Sequence, residues 1–202
     1  MLNSRHRRPL ERDERPLRDC RLIIIATEGS KTEKIYFESF RDTRVQVRVI
    51  PSVGGNSSPQ HILENLREFR SSHDLNDDDE LWIVIDKDRW PERSLSEVAA
   101  ACVNEKYNLS VSNPCFELWL LLHISENIPE PIDAKVLENE LRSIIGSYNK
   151  SNIDMEVFNS GIDRAIAKAT EMDINPEFRW PMSVGTRVYR VVDRLRLLAL
   201  QR

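Results

Sequence analysis

Two short apolar runs, each ending on an acidic residue, constrain this chain more than any other feature. Leu22–Ala26 is an unbroken aliphatic run and is followed by Thr27-Glu28-Gly29; Leu81–Ile85 is a second, followed by Asp86-Lys87-Asp88. A run of five apolar residues rich in β-branched side chains suits a strand buried on both faces. Helical patterns lie between such runs. Ile35, Tyr36, Phe37 and Phe40 follow Ser30 and Thr32, either of which could cap a helix; Ile62, Leu66 and Phe69 recur at helical spacing; Leu95, Val98 and Cys102 do so again. Val45–Ile50 and Leu109–Val111 complete the strands. Strands alternating with helices predict an α/β fold, a Rossmann-like parallel sheet of about four strands with helices on both faces. In such sheets ligands bind beyond the carboxyl ends of the strands, where Glu28, Asp86 and Asp88 fall.

The length of 202 residues fits one domain with a helical appendage. The expected organisation is a mobile Arg-rich tail over 1–20, a catalytic core over 21–125 and a helical C-terminal part over 126–202, with helices near 132–146, 155–171 and 184–199. The longest apolar runs, Leu22–Ala26 and Leu118–Leu122, are far short of the roughly 20 residues that cross a bilayer. The three cysteines (Cys20, Cys102, Cys115) are odd in number and lack metal-ligand spacing, which predicts a reducing cytoplasm and no role for thiols.

The net charge of −4 excludes a wholly cationic nucleic-acid binder, but charge is segregated. Residues 1–21 carry seven arginines against four acids, and residues 179–202 six against one. Basic ends around an acidic centre suit a protein that holds phosphates at its periphery and metal at its centre. In the acidic centre, side chains at i and i+2 of an extended segment point the same way, so Asp86 and Asp88 can reach one ion together. An all-oxygen set of two aspartates and a glutamate suits Mg²⁺ or Mn²⁺ and suits Zn²⁺ poorly. The run Asp77-Asp78-Asp79-Glu80 is more acidic but precedes its strand, at the opposite end of the sheet, and reads as a solvated turn.

Further residues face the same end. Asn113, with Pro114 at the first helical position, reads as a helix cap; Glu117 follows near the helix start. Lys31 and Lys34 lie where a helix N-terminus could receive phosphate, and Gly54-Gly55-Asn56-Ser57-Ser58 forms a loop after the second strand. His123 lies on the apolar stripe and reads as a core histidine. Arg187, Arg190 and Arg194 recur opposite Val184, Val188, Val191 and Leu195, a basic helical face for a phosphate backbone or an acidic partner.

Strand-Glu-Gly followed by strand-Asp-x-Asp resembles the Toprim domain of topoisomerases, primases and overcoming-lysogenization-defect nucleases. The stretch Glu28-Gly29-Ser30-Lys31-Thr32-Glu33 with Tyr36-Phe37, then Asp86-Lys87-Asp88, then Ser112-Asn113-Pro114-Cys115-Phe116-Glu117-Leu118-Trp119, resembles the RloB-like family from about Arg21 onward. Met182-Ser183-Val184-Gly185-Thr186 stands where members tend to carry Asn-Pro-x-Thr. The resemblance implies a Toprim-type Mg²⁺-dependent nuclease, the effector of a bacterial defence system, held by an ABC-type or AAA-type ATPase encoded nearby. It implies Asp86 and Asp88 as metal ligands and Glu28 as acid/base or metal-shaping residue. The alternative is a non-catalytic or nucleotide-binding subunit of such a complex. RNA or DNA as substrate, and a homo-oligomer, stay open.

Overall fold

The computed structural model describes residues 20–52 and 57–200. The Arg-rich segment 1–20, apart from Cys20, and the Gly54–Asn56 part of the expected loop lie outside the described residues. In chain order the elements are β1 (Arg21–Thr27), α1 (Thr32–Glu38), β2 (Val45–Pro51), α2 (Pro59–Ser72), β3 (Glu80–Asp86), α3 (Glu92–Glu105), β4 (Asn108–Asn113), α4 (Phe116–Ile124), α5 (Ala134–Ile145), α6 (Met155–Asn159), α7 (Ile162–Met172), β5 (Gly185–Thr186) and α8 (Val188–Leu200).

The strands form one Rossmann-like sheet in the order β2-β1-β3-β4-β5. The first four are parallel, as expected; β5 is an added antiparallel edge strand of two residues that pairs Ser112 with Thr186. The continuous apolar runs reflect burial on both faces. Ile23 and Ile25 join Val45, Val47, Val49, Trp82 and Val84 in one core cluster, while Ile24 and Ala26 join Leu81, Ile83 and Ile85 in the other. Helices α2 and α3 cover the second cluster through Ile62, Leu66, Leu95 and Val98. Each fully buried isoleucine or leucine contributes roughly 1.5–3 kcal/mol.

The other face is thicker. Leu118–Leu122 of α4 are fully buried around the whole circumference of the helix, because α5 and α7 pack outside it. The C-terminal helices therefore cover the core. His123 is buried here: its Nδ1–H donates to the Trp119 carbonyl (2.8 Å), so Nε2 accepts from the Tyr36 hydroxyl (3.0 Å). Burial depresses its pKa to about 4 and keeps it neutral. The helix expected over 155–171 breaks at Gly161, where a Cβ would collide with the His123 carbonyl. Among the described residues no helix is long and apolar enough to cross a membrane.

The expected basic face of α8 is corrected by the structure. Arg187 precedes the helix and is buried, at 2 % exposure, with its guanidinium on both oxygens of Asp173 (2.9–3.2 Å) and on the carbonyls of Asn175 and Phe178. Arg190 also bonds Asp173 (2.9 Å), and Arg194 bonds Glu80 (2.5 Å) at the amino end of β3, away from the carboxyl ends. Arg187 is thus withdrawn from any phosphate backbone, while Arg190 and Arg194 are each paired with a carboxylate of this chain and stay about a third exposed, at 34 % and 32 %. Asn113 is corrected as well. It does not cap α4, whose N-cap is Cys115; its amide donates to the carbonyls of Pro181, Met182 and Ser183 (2.8–3.3 Å) and secures the segment leading into β5.

Burial opposes the charge on Asp173, but bonds from Arg187 and Tyr189 outweigh it and lower its pKa. Its contribution is fully present above the unfolded value near 3.8 and is lost as pH falls through the lower folded value. Asp173→Ala leaves Arg187 buried without a counter-charge, and urea unfolding at pH 7 is expected to show a loss of about 3–5 kcal/mol. The gap between wild type and variant should narrow as the pH is taken below 4; a constant gap would remove the ionic explanation.

Candidate functional site

The chain leaves β1 for β2 on one side and returns to lay β3 on the other, so the carboxyl ends of β1 and β3 flank the switch point of the sheet, where parallel sheets open a crevice. The two strands pair in register, with Ala26 opposite Ile83 and Thr27 opposite Val84, and the Glu28 amide extends the ladder by donating to the Val84 carbonyl (3.2 Å). This register sets Glu28 beside Asp86. A cleft of about 560 Å³ opens there, with Glu28, Glu33, Asp86 and Glu117 among its walls and Lys31, Arg89 and Lys150 as its cations.

Glu28 is 7 % exposed. Its Oε2 accepts from the indole N–H of Trp90 (2.9 Å) and from the Asp86 amide (3.3 Å). Its Oε1 is buried without a hydrogen-bond partner, and the nearest cation, Arg89, stands at 3.6 Å. Burial raises the Glu28 pKa despite these donors. Asp86 ends β3 with its carboxyl in the cleft, and its pKa is raised strongly, first by burial and then by Glu33, Glu28, Glu117 and Asp88. Asp88 is exposed and lies outside the cleft walls, but is close enough to raise the pKa of both Glu28 and Asp86. The connecting segment is fixed against β4 by the Lys87 amide, which donates to the Ser112 carbonyl (2.8 Å), and the Asp88 amide, which donates to the Pro114 carbonyl (3.2 Å).

Glu33, on α1, was not singled out in the sequence. It is 6 % exposed, and its Oε1 accepts from the Gly29 amide (2.9 Å). The carboxylate lies so close to Gly29 that a Cβ there would overlap it, so a larger residue at this position would have to displace the Glu33 side chain. Burial, reinforced by Glu117 and Glu28, pushes the Glu33 pKa up to about 7. Neither Ser30 nor Thr32 caps α1, whose N-cap is Lys31; the Thr32 hydroxyl donates instead to the Lys150 carbonyl (2.9 Å).

Glu117, in the first turn of α4, is 5 % exposed. The Tyr148 hydroxyl donates to its Oε1 (3.2 Å) and the Lys150 ammonium lies 2.7 Å away, also 2.7 Å from Glu138. Burial disfavours the charge on Lys150, but the bonds to Glu117 and Glu138 outweigh it and raise its pKa. Lys31 lines the same cleft with its ammonium on the Ser151 hydroxyl (3.1 Å). The structure thus gathers Glu28, Asp86, Glu117 and Lys31, keeps Asp88 beside them, and turns Asn113 away. It adds Glu33, Trp90, Tyr148 and Lys150. The interval Gly29-x-x-x-Glu33 could have marked Glu33; nothing in the polar segment around Lys150 marks that residue.

These walls fit a hard divalent cation in donor type and in charge: every candidate donor is a carboxylate, one buried oxygen lacks a partner, and burial, with neighbouring carboxylates adding to it, raises three pKa values. Among the described residues no three His, Cys, Asp or Glu side chains already form a complete ligand set. Holding an ion therefore calls for side-chain movement, with Glu117 the side chain now engaged by Lys150.

Glu33 gives a pH signature of the opposite sign to Asp173. Its folded pKa exceeds the ordinary value of 4.5, so its contribution is present below pH 4.5 and is lost as pH rises through about 7. In chelator, wild type is expected to lose up to about 3 kcal/mol between pH 4.5 and 8 from this group, and Glu33→Gln to be flatter. Parallel urea midpoints for the two proteins across that range would overturn this.

A family model described as RloB-like protein matches residues 23–195. No curated protein and no solved structure shows significant similarity to the chain. The match spans β1 through most of α8 and includes every wall of the cleft, so the chain belongs to the RloB-like protein family.

Proposed function

We propose that this protein is a Toprim-type, Mg²⁺- or Mn²⁺-dependent nuclease that cleaves phosphodiester bonds. The observation that carries this reading is the placement of Glu28 and Asp86 side by side at the carboxyl ends of paired parallel strands, with Asp88 two residues on. A divalent ion held by such carboxylates neutralises the phosphate and orients it for attack. Asp86 and Asp88 are the ligands of this reading, and Glu117 joins them from α4. Glu28 is the general base: Trp90 and the Asp86 amide fix Oε2, which leaves Oε1 to take a proton from the attacking water. Its raised pKa brings proton affinity toward the working range. Lys31 and Arg89 sit where they can meet the phosphate backbone at the cleft mouth.

Such an enzyme is dangerous to its host when unrestrained. The reading therefore includes a partner ATPase that holds the nuclease as an anti-phage effector. Arg187 is buried and cannot serve as a docking residue, which leaves Arg190 and Arg194, each already paired with a carboxylate, as what remains of the basic face.

The test is incubation with labelled tRNA, single-stranded DNA and double-stranded DNA in Mg²⁺, Mn²⁺ or chelator. Wild type should cleave at least one substrate in a chelator-sensitive way. Asp86→Asn should abolish cleavage and the divalent-cation shift in melting temperature, yet melt higher than wild type in chelator because one repelling charge is gone. A variant that cleaves normally, or that loses its fold in chelator, sinks the nuclease reading and leaves the acidic pocket as structural.

A further inference from the structure

Residues 146–153, between α5 and α6, run along the cleft and are tied to it at several points. The Thr32 hydroxyl donates to the Lys150 carbonyl (2.9 Å), the Lys31 ammonium to the Ser151 hydroxyl (3.1 Å) and the Tyr148 hydroxyl to Glu117 (3.2 Å). These bonds deliver the Lys150 ammonium onto Glu117 Oε1 and Glu138 Oε1, at 2.7 Å from each. The two carboxylates differ in kind. The Glu117 side chain is 6 % exposed and belongs to the acidic wall that raises the Asp86 pKa; Glu138 is 30 % exposed, on the outer helix α5.

A carboxylate as buried as Glu117 needs a counter-charge, and in this structure Lys150 supplies it. A divalent cation shared with Asp86 would draw on the same carboxylate, whose Oε1 Lys150 already holds, and two cations close together on one carboxylate repel each other. Lysine suits a removable counter-ion: it is a point charge on a flexible stem, and half of the Lys150 side chain is exposed. Arg187 contrasts with it, fixed by several bonds and buried. We propose that Lys150 is an internal counter-ion that holds the divalent-cation position at Glu117 and yields it when the cation binds, while Glu138 retains the displaced ammonium. This inference rests on the reading of the carboxylate cluster as a divalent-cation site. It makes Lys150 a positioning residue: the lysine sets the affinity at which the site fills.

The experiment is calorimetric titration of the full chain with Mn²⁺ alone, at fixed pH and ionic strength, without substrate. Lys150→Met should bind Mn²⁺ roughly three- to fivefold more tightly than wild type, about the worth of one partly exposed ion pair. Lys150→Gln, a milder change, should tighten binding in the same direction. Lys31→Met deletes the same charge from the same cleft without freeing a carboxylate and should change affinity less than about twofold. In a Glu117→Gln background the Lys150 effect should vanish. In chelator, Lys150→Met should melt below wild type because Glu117 is left bare, and Mn²⁺ should close that gap. Wild type and Lys150→Met binding equally, Lys31→Met tightening as much as Lys150→Met, or a melting gap that Mn²⁺ leaves open would each overturn the counter-ion role while leaving the metal site intact. Binding by neither wild type nor Lys150→Met would overturn the metal-site reading itself.

Discussion

The parallel pairing of β1 with β3 is the constraint on which the rest of the site depends. Those strands are separated in sequence by a whole β-α unit, yet they adjoin because the chain places β2 on the outer side of β1 and then returns. The register Thr27–Val84 sets Glu28 beside Asp86, and the Asp86 amide itself donates to the Glu28 carboxylate. A slip of one residue would turn Glu28 to the other face and set Thr27 or Gly29 in its place beside Asp86. The isoleucines packed on both faces hold that register, so the chemistry at the strand ends depends on the aliphatic runs that precede them.

Assembling this many carboxylates beside a hydrophobic core has a cost, visible in the raised pKa values of Glu28, Glu33 and Asp86. The fold offsets part of it with neutral donors, the Trp90 indole, the Gly29 amide and the Tyr148 hydroxyl, and part with cations set at the edge of the cleft. The offset is incomplete, as the proposed ion site would require: a cluster fully neutralised by fixed arginines would have little affinity left for a metal. Among the described residues the buried arginine, Arg187, lies elsewhere, on Asp173. There it ties the segment after α7 to the start of α8, and with Asn113 it closes the far edge of the sheet.

The helical C-terminal part serves the site as well as the core. α4 carries Glu117 in its first turn and is buried on all sides, so its position is set by α5 and α7 packed around it. α5 contributes Glu138, and the segment after α5 contributes Tyr148 and Lys150. A core ending near residue 125 would lack these groups, and its most apolar helix would be bare.

What the sequence determined by itself is what short-range chemistry encodes. Aliphatic runs without alternation specify strands buried on two faces, helical spacing specifies the covering helices, and acids directly after two such runs fall at one end of a parallel sheet by topology alone. That placed Glu28, Asp86 and Asp88 at one end of the sheet, with Glu117 following from its place at a helix start, and it set them apart from the more acidic Asp77-Asp78-Asp79 run at the other end; Glu80, expected in that solvated turn, instead begins β3 and pairs with Arg194. Tertiary structure decided what depends on distant partners. Arg187, Arg190 and Arg194 have the periodicity of a solvent face, but Asp173 and Glu80 reach them from other parts of the chain, and a charge pattern on one helix does not reveal what packs against it. Asn113 has the sequence of a cap yet its amide is drawn to three carbonyls some seventy residues away. Lys150 carries no local mark; it becomes part of the cleft only because folding of the C-terminal helices brings its segment back over α1, where long-range electrostatics place its charge on Glu117.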